Sequence, residues 1–228
     1  MKRSYTMNNL SINALIKLDE RAYHHYIRVL RLKEGAPLAL FNERYGEYKG
    51  VITLINKKEA FVTLKEQARG PSALPYKGLM FSLLKNETMS WMIEKATELG
   101  VTDFYPLISA RSTQKSLKLE KLMRSCLDAV EQCERLDCPT FHPILGLKEA
   151  LESWDPSKPL FTAIERCNLE KKADMKSEGG TFLVGPEGGW HEDEKKLLLS
   201  QSFVKPVSLG SLILRAETAA LALLSQQL

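Results

Sequence analysis

No run in this 228-residue chain approaches the roughly 18 uninterrupted apolar residues that a membrane-spanning helix needs. Cysteine is sparse. The four present, Cys126, Cys133, Cys138 and Cys167, form no CxxC pair and match no zinc-ligand spacing. That excludes a disulfide scaffold, and the four are read as small apolar residues rather than metal ligands. The first ten residues lack the apolar core of a signal peptide, so a cytoplasmic protein with reduced thiols is expected. Low-complexity tracts and internal repeats are missing as well. With 26% charged and 44% hydrophobic residues the chain has a globular composition, and its length predicts one or two domains.

Positive charge gathers at one end. Residues 1–70 hold 13 Lys and Arg against 7 Asp and Glu, while residues 71–228 hold 19 against 21. A basic front on a near-neutral body fits a phosphate-binding domain, and equally a solvated basic surface. The same seventy residues read as short strands at Ala36 to Leu40, Glu47 to Ile55 and Ala60 to Leu64. Polar turns separate them, the pattern of a small barrel. A helix is expected from Glu20 to Leu30, where Tyr23, Ile27 and Leu30 recur at helical spacing. Gly70-Pro71-Ser72-Ala73-Leu74-Pro75 reads as a linker.

After the linker the pattern changes. Gly78 to Leu84 is a continuous apolar run, as in a strand buried on both faces. Helices are expected at Glu87 to Leu99, stopped by Gly100, and at Leu117 to Arg135. Further strands read at Phe104 to Ile108, Pro159 to Ile164, Thr181 to Val184 and Phe203 to Leu209, and an Ala/Leu-rich helix at Ala216 to Gln226. Strands alternating with helices predict an open, mostly parallel α/β sheet. Two domains are therefore expected, 1–70 and 75–228.

The sharpest motif is Gly185-Pro186-Glu187-Gly188-Gly189, set between an apolar strand and a helix starting near Glu192. Three glycines in five residues let a ligand approach the main chain. The run is neither the dinucleotide fingerprint nor the phosphate loop. A second motif spans Leu209-Gly210-Ser211-Leu212-Ile213-Leu214-Arg215-Ala216-Glu217-Thr218-Ala219, where a strand ends at glycine and an apolar loop leads into a helix. Glu217 suits the positive end of a helix dipole, but Arg215 does not, so an anionic or polar group is expected to face it. Pairing with Glu217 is the alternative.

Together these motifs resemble the ribosomal RNA small subunit methyltransferase E family. Three further stretches resemble that family in the same order: His24 to Gly35, Glu94 to Ser112 and Glu131 to Pro139. The resemblance implies an S-adenosylmethionine-dependent enzyme that methylates N3 of a uridine in 16S ribosomal RNA. It also implies a PUA-like β-barrel followed by a SPOUT domain with a deep trefoil knot, and a homodimer. Another SPOUT methyltransferase, acting on transfer RNA or on ribose oxygen, is the near alternative, and a non-catalytic RNA-binding ribosome assembly factor the more distant one. The chain departs from the family pattern in having Glu94 for Gln, Ala110 for Glu, Ser125 for Trp and His191 for a Ser or Thr helix cap. The last departure predicts loss of the capping box.

By the same resemblance, the cofactor would be held by main-chain groups of three loops: Thr162, Ala163, Ile164 and Glu165; Gly185, Pro186, Glu187, Gly188 and Gly189; and Leu209 to Leu214, with Thr218 as a further cofactor-binding residue. Leu209, Leu212 and Leu214 would cover the adenine beside Gly210, with core packing as the alternative for each. Uracil N3 loses a proton during methylation, and Arg215 is the catalytic candidate for stabilising charge on O2 and O4. Arg28, Arg31 and Lys33 would meet RNA phosphates, with Lys95 and Arg111 extending that surface. Tyr23 and Tyr26 could stack on bases or pack in the core.

Overall fold

The computed structural model describes residues 1–164 and 180–227. Glu165 and Cys167 lie outside the described residues. The chain divides into two units, the first formed by residues 1–74 with 130–138, the second by residues 75–129 and the described residues from 139.

The first unit contains β1 (Lys2–Tyr5), β2 (Leu15–Lys17), α1 (Glu20–Tyr23), β3 (Pro37–Asn42), β4 (Gly46–Ile55) and β5 (Ala60–Arg69). Their sheet order is β1-β3-β4-β5-β2, with β1 parallel to β3 and the other neighbours antiparallel. Leu38, Leu40, Ile52, Val62 and Leu64 alternate inward along these strands and form the core with Tyr26 and Ala22. Each such side chain contributes about 1.5–3 kcal/mol by leaving water.

The helix expected from Glu20 to Leu30 is α-helical only as α1. Asp19 caps it, its carboxylate accepting from the Ala22 N–H at 2.7 Å. His24–Val29 then widens into a π-type turn. The Leu30 N–H reaches the His25 carbonyl at 2.9 Å, and Arg31, in the left-handed region at φ 54°, ends the helix. The extra residue per turn belongs to a segment whose Tyr26 is buried, its hydroxyl donating to the Arg3 carbonyl and to Glu131 at 3.2 Å.

Glu131 shows why residues 130–138 belong here. Its carboxylate also takes Arg21 at 2.5 Å and the Tyr5 N–H at 3.0 Å. Glu47 in β4 plays a similar part, holding Arg3 at 2.7 Å and Arg69 at 2.5 Å.

The second unit contains β6 (Gly78–Ser82), α2 (Asn86–Glu98), β7 (Asp103–Ile108), the greater part of α3 (Leu119–Gln132), β8 (Thr140–Phe141), β9 (Leu145–Gly146), α4 (Leu147–Glu152), β10 (Leu160–Ala163), β11 (Thr181–Val184), α5 (Glu192–Leu199), β12 (Val204–Val207) and α6 (Ala216–Leu224). Strands run β12-β10-β11-β6-β7-β8, all parallel, with β9 also on β7. The expected α/β sheet is present. All five β6 residues and all four β11 residues are buried, as central parallel strands require. Gly100, at φ 86°, follows α2 and ends it. Ala220, Leu223 and Leu224 of α6 are fully buried, and α6 packs on α2 and β11. Cys126 is buried with the Thr97 hydroxyl 3.5 Å from its sulfur, whereas Cys133 and Cys138 are half-buried.

Candidate cofactor and active site

β10, β11 and β12 are neighbours and parallel, with Thr162 opposite Leu183 and Ala163 opposite Val207. Their following loops therefore leave the sheet at one edge, where ligands of open α/β sheets collect. There they enclose a cavity of about 430 Å³.

Ala163 and Ile164 line it from the first loop, Gly185, Pro186, Glu187, Gly188 and Gly189 from the second, and Leu209, Gly210, Leu212 and Leu214 from the third. Thr162 does not. It is fully buried in the sheet, its hydroxyl donating to the Leu183 carbonyl at 3.0 Å. Thr218 is exposed on α6 and is absent from the lining. Core packing does not explain Leu212, which is 79% exposed, nor its neighbour Ile213 at 65%.

Glycine is needed at two places. Gly189 sits at φ 69° and Gly210 at φ 104°, conformations that side chains with a Cβ rarely adopt. Gly188 has no such strain, and a Cβ there would meet only Arg111 carbons at 3.5 and 3.7 Å. Gly185 is closed for a different reason: a Cβ would stand 2.8 Å from the Trp190 indole.

The glycine loop is braced from both sides. Arg111 donates to the Gly188 carbonyl at 2.8 Å and itself lines the cavity. The Gly189 N–H closes on the Pro186 carbonyl at 2.9 Å. The expected loss of the capping box at α5 is corrected here. His191 takes the cap position, its Nδ1 accepting from the Asp193 N–H at 3.4 Å, while Glu194 accepts from the His191 N–H at 3.0 Å. A neutral imidazole carries one acceptor nitrogen, which replaces the hydroxyl oxygen of Ser or Thr. The other Glu194 oxygen accepts from the Ala110 N–H at 2.7 Å, tying α5 to the loop that carries Arg111.

Arg215 stands just before α6 rather than in its first turn, with extended backbone at φ −67° and ψ 156°. Arg215 is exposed, is absent from the cavity lining although its neighbours Leu214 and Ala216 belong to it, and makes no ion pair with Glu217 among the described residues. Lys95 is clamped by Glu94 and Glu98, each at 2.8 Å, and their hydrogen bonds push its pKa up. In the first unit, Arg28, Arg31 and Lys33 are all exposed. Arg28 donates to the Lys57 carbonyl at 2.6 Å and lies 5.4 Å over the Tyr23 ring.

Sequence reasoning missed Trp190, Lys195 and Ser208, which also line the cavity. Trp190 directly follows the glycine run, and its position alone was signal enough. Lys195 looks like any solvated helix lysine, paired with Glu192 at 2.8 Å.

Comparison with known proteins agrees with this geometry. Residues 73–227 match the RNA methyltransferase domain family, and residues 18–65 match the RNA methyltransferase PUA domain. The chain is 34% identical to the ribosomal RNA small subunit methyltransferase E of Rickettsia conorii, over 98% of this chain and 93% of that one. The Bacillus subtilis protein of the same name is 29% identical, over 89% of this chain and 85% of its own. Among solved structures, the ribosomal RNA small subunit methyltransferase E of Neisseria gonorrhoeae, bound to S-adenosyl methionine, superposes with a TM-score of 0.88 at 29% identity, covering 99% of this chain and 96% of that one. With an α/β fold, a PUA-like domain and relatives matched along nearly its whole length, the chain belongs to the ribosomal RNA small subunit methyltransferase E family of RNA methyltransferases.

Proposed function

We propose that this protein uses S-adenosylmethionine to methylate N3 of a uridine in 16S ribosomal RNA, in the cytoplasm and as a homodimer. The reading includes an RNA-binding PUA-like barrel at 1–70 and a SPOUT domain at 75–228 whose chain is knotted near its carboxyl end. The observation that carries it is the cavity at the carboxyl ends of β10, β11 and β12.

The residues present fit the cofactor. The cavity volume lies in the range of about 300–1,000 Å³ typical of small-molecule sites. Its glycine run presents main chain without side chains in the way, and it mixes apolar leucines with a few polar groups. Bound there, S-adenosylmethionine supplies an electrophilic methyl group on a good leaving group.

The protein's own task is then alignment and exclusion of water. Leu209, Leu212 and Leu214 supply apolar cover, and the loops from Gly185 to Gly189 and from Ala163 supply backbone donors and acceptors. Arg215, a chain neighbour of the lining residues Leu214 and Ala216, would offer its fork to uracil O2 and O4 as N3 gives up its proton. Arg28, Arg31 and Lys33 form the phosphate-binding face of the first unit, with Arg111 and Lys95 on the second.

The test is a nucleoside digest of small-subunit RNA incubated with the protein and labelled S-adenosylmethionine. Label in 3-methyluridine supports the reading. Label in a ribose-methylated nucleoside, or none despite cofactor binding, overturns it.

A further inference from the structure

Trp190 is only 5% exposed, yet its indole N–H meets no acceptor among the described residues. A buried N–H without a partner costs about 1–3 kcal/mol, so native structures rarely keep one without a use. The ring is not loosely placed. It belongs to a core cluster of the second unit that includes Leu183, Leu198, Phe203 and Val204. Its other edge lies over Gly185: a Cβ on that glycine would stand 2.8 Å from Cε2 and 2.9 Å from Nε1. Both Gly185 and Trp190 belong to the cavity wall. Gly185 thus lacks a side chain where the indole nitrogen lies, and the nitrogen sits at the start of the glycine run.

We infer that the Trp190 indole N–H is a positioning donor for the cofactor, giving its hydrogen bond to an acceptor on the bound S-adenosyl compound. The inference rests on the cofactor reading of this cavity and adds a polar side-chain contact to a cofactor site whose other polar contacts come from main chain. The core contacts hold the ring, so the donor is preorganised and costs little ordering on binding.

The experiment uses the full chain, S-adenosylhomocysteine and 5′-methylthioadenosine. In protein labelled with ¹⁵N-tryptophan, the indole N–H signals of Trp91 and Trp154 are assigned by single replacement with Phe, which leaves the third signal to Trp190. Saturating S-adenosylhomocysteine shifts the Trp190 signal downfield and leaves those of Trp91 and Trp154 in place. By calorimetry, Trp190→Phe, which keeps a ring and removes the N–H, binds S-adenosylhomocysteine about three- to tenfold more weakly, the worth of one neutral hydrogen bond. In turnover the loss falls on KM for S-adenosylmethionine and not on kcat. An equal loss for 5′-methylthioadenosine places the acceptor in the adenosine half, and a loss confined to S-adenosylhomocysteine places it in the amino-acid half. An unmoved Trp190 signal in a wild type that demonstrably binds the ligand overturns the inference, and needs no Trp190 variant that folds. A wild type that binds neither compound instead overturns the cofactor reading beneath it.

Discussion

Arg111 donates to the Gly188 carbonyl across 2.8 Å, so a side chain assigned to RNA from sequence also fixes the loop that walls the cavity. The bond joins the segment after β7 to the segment after β11, two strands separated in the sheet by β6. Arg111→Ala is therefore expected to weaken S-adenosylmethionine binding by about tenfold, the scale of a hydrogen bond from a charged group. Calorimetry checks it. Unchanged cofactor affinity with reduced RNA affinity would return Arg111 to a purely RNA-facing role.

The glycines separate folding from binding. A Cβ at Gly188 meets only ordinary contacts with Arg111 and no backbone strain, so Gly188→Val is expected to melt near wild type while cofactor binding is lost to the added bulk. Gly210→Val is strained at φ 104° and is expected to cost about 1–3 kcal/mol besides. Thermal melts with and without S-adenosylhomocysteine distinguish the two. A Gly188→Val protein with normal affinity would move the site away from this loop.

Charge reversal at Arg28, Arg31 and Lys33 together is expected to weaken RNA binding and flatten its dependence on salt. Each phosphate left without its cation lowers the logarithmic slope by about 0.7–0.9. Cofactor affinity serves as the control and stays constant. A salt titration with a fragment of small-subunit RNA reads the slope, and a slope that survives the triple variant would remove this surface from RNA binding.

Stability of the first unit is expected to fall in acid through Glu47. Burial alone would raise its pKa, but hydrogen bonds and charge from Arg3 and Arg69 outweigh that, leaving it below the ordinary 4.5. The folded form thus holds its proton less tightly than the unfolded form. The stabilisation is present above the unfolded pKa and is lost as pH falls below about 4.5 through the folded value. Urea melts at several pH values check this, and Glu47→Gln should flatten the acid limb. An identical acid limb in Glu47→Gln would show that other carboxylates set it.

Arg215→Ala is expected to remain a dimer of about 52 kDa, twice the chain mass, by light scattering. It should bind S-adenosylmethionine normally and lose most methyl transfer, because its contact strengthens only as charge develops on the base. Near-normal single-turnover rates would exclude Arg215 from the chemistry, and a monomeric wild type would exclude the homodimer.

Elements with a strong local signature were legible from sequence. Thr181 to Val184 reads as a short apolar strand, and the bounds agree residue for residue. The Gly70 to Pro75 linker carries no regular structure. β1 and β2 were not legible. Lys2-Arg3-Ser4-Tyr5 buries only its serine, and β2 is three residues long, so pairing with β3 and β5 makes them strands rather than any apolar pattern. Helical spacing of Tyr23, Ile27 and Leu30 could not reveal a π-type turn, whose Tyr26 makes its bonds to residues distant in sequence. In the site, glycines and leucines announced themselves. Trp190 directly follows the glycine run but was not assigned to the cavity, while Arg111 gave no sign that it would meet a carbonyl 77 positions away.

Residues 130–138 return to a unit that the chain had otherwise left at residue 74. On the ribosome, this has a temporal consequence. Domains near an amino end generally fold as they emerge. Here Arg21, Tyr26 and the Tyr5 amide wait for Glu131, and Arg3 and Arg69 wait for the carbonyl of Glu134. The first unit therefore cannot complete itself until translation has passed Cys138, well into the second. A nascent chain halted before that point would expose a basic half-finished surface to the RNA-rich machine that is making it, with its charge-neutralising carboxylate still inside the tunnel.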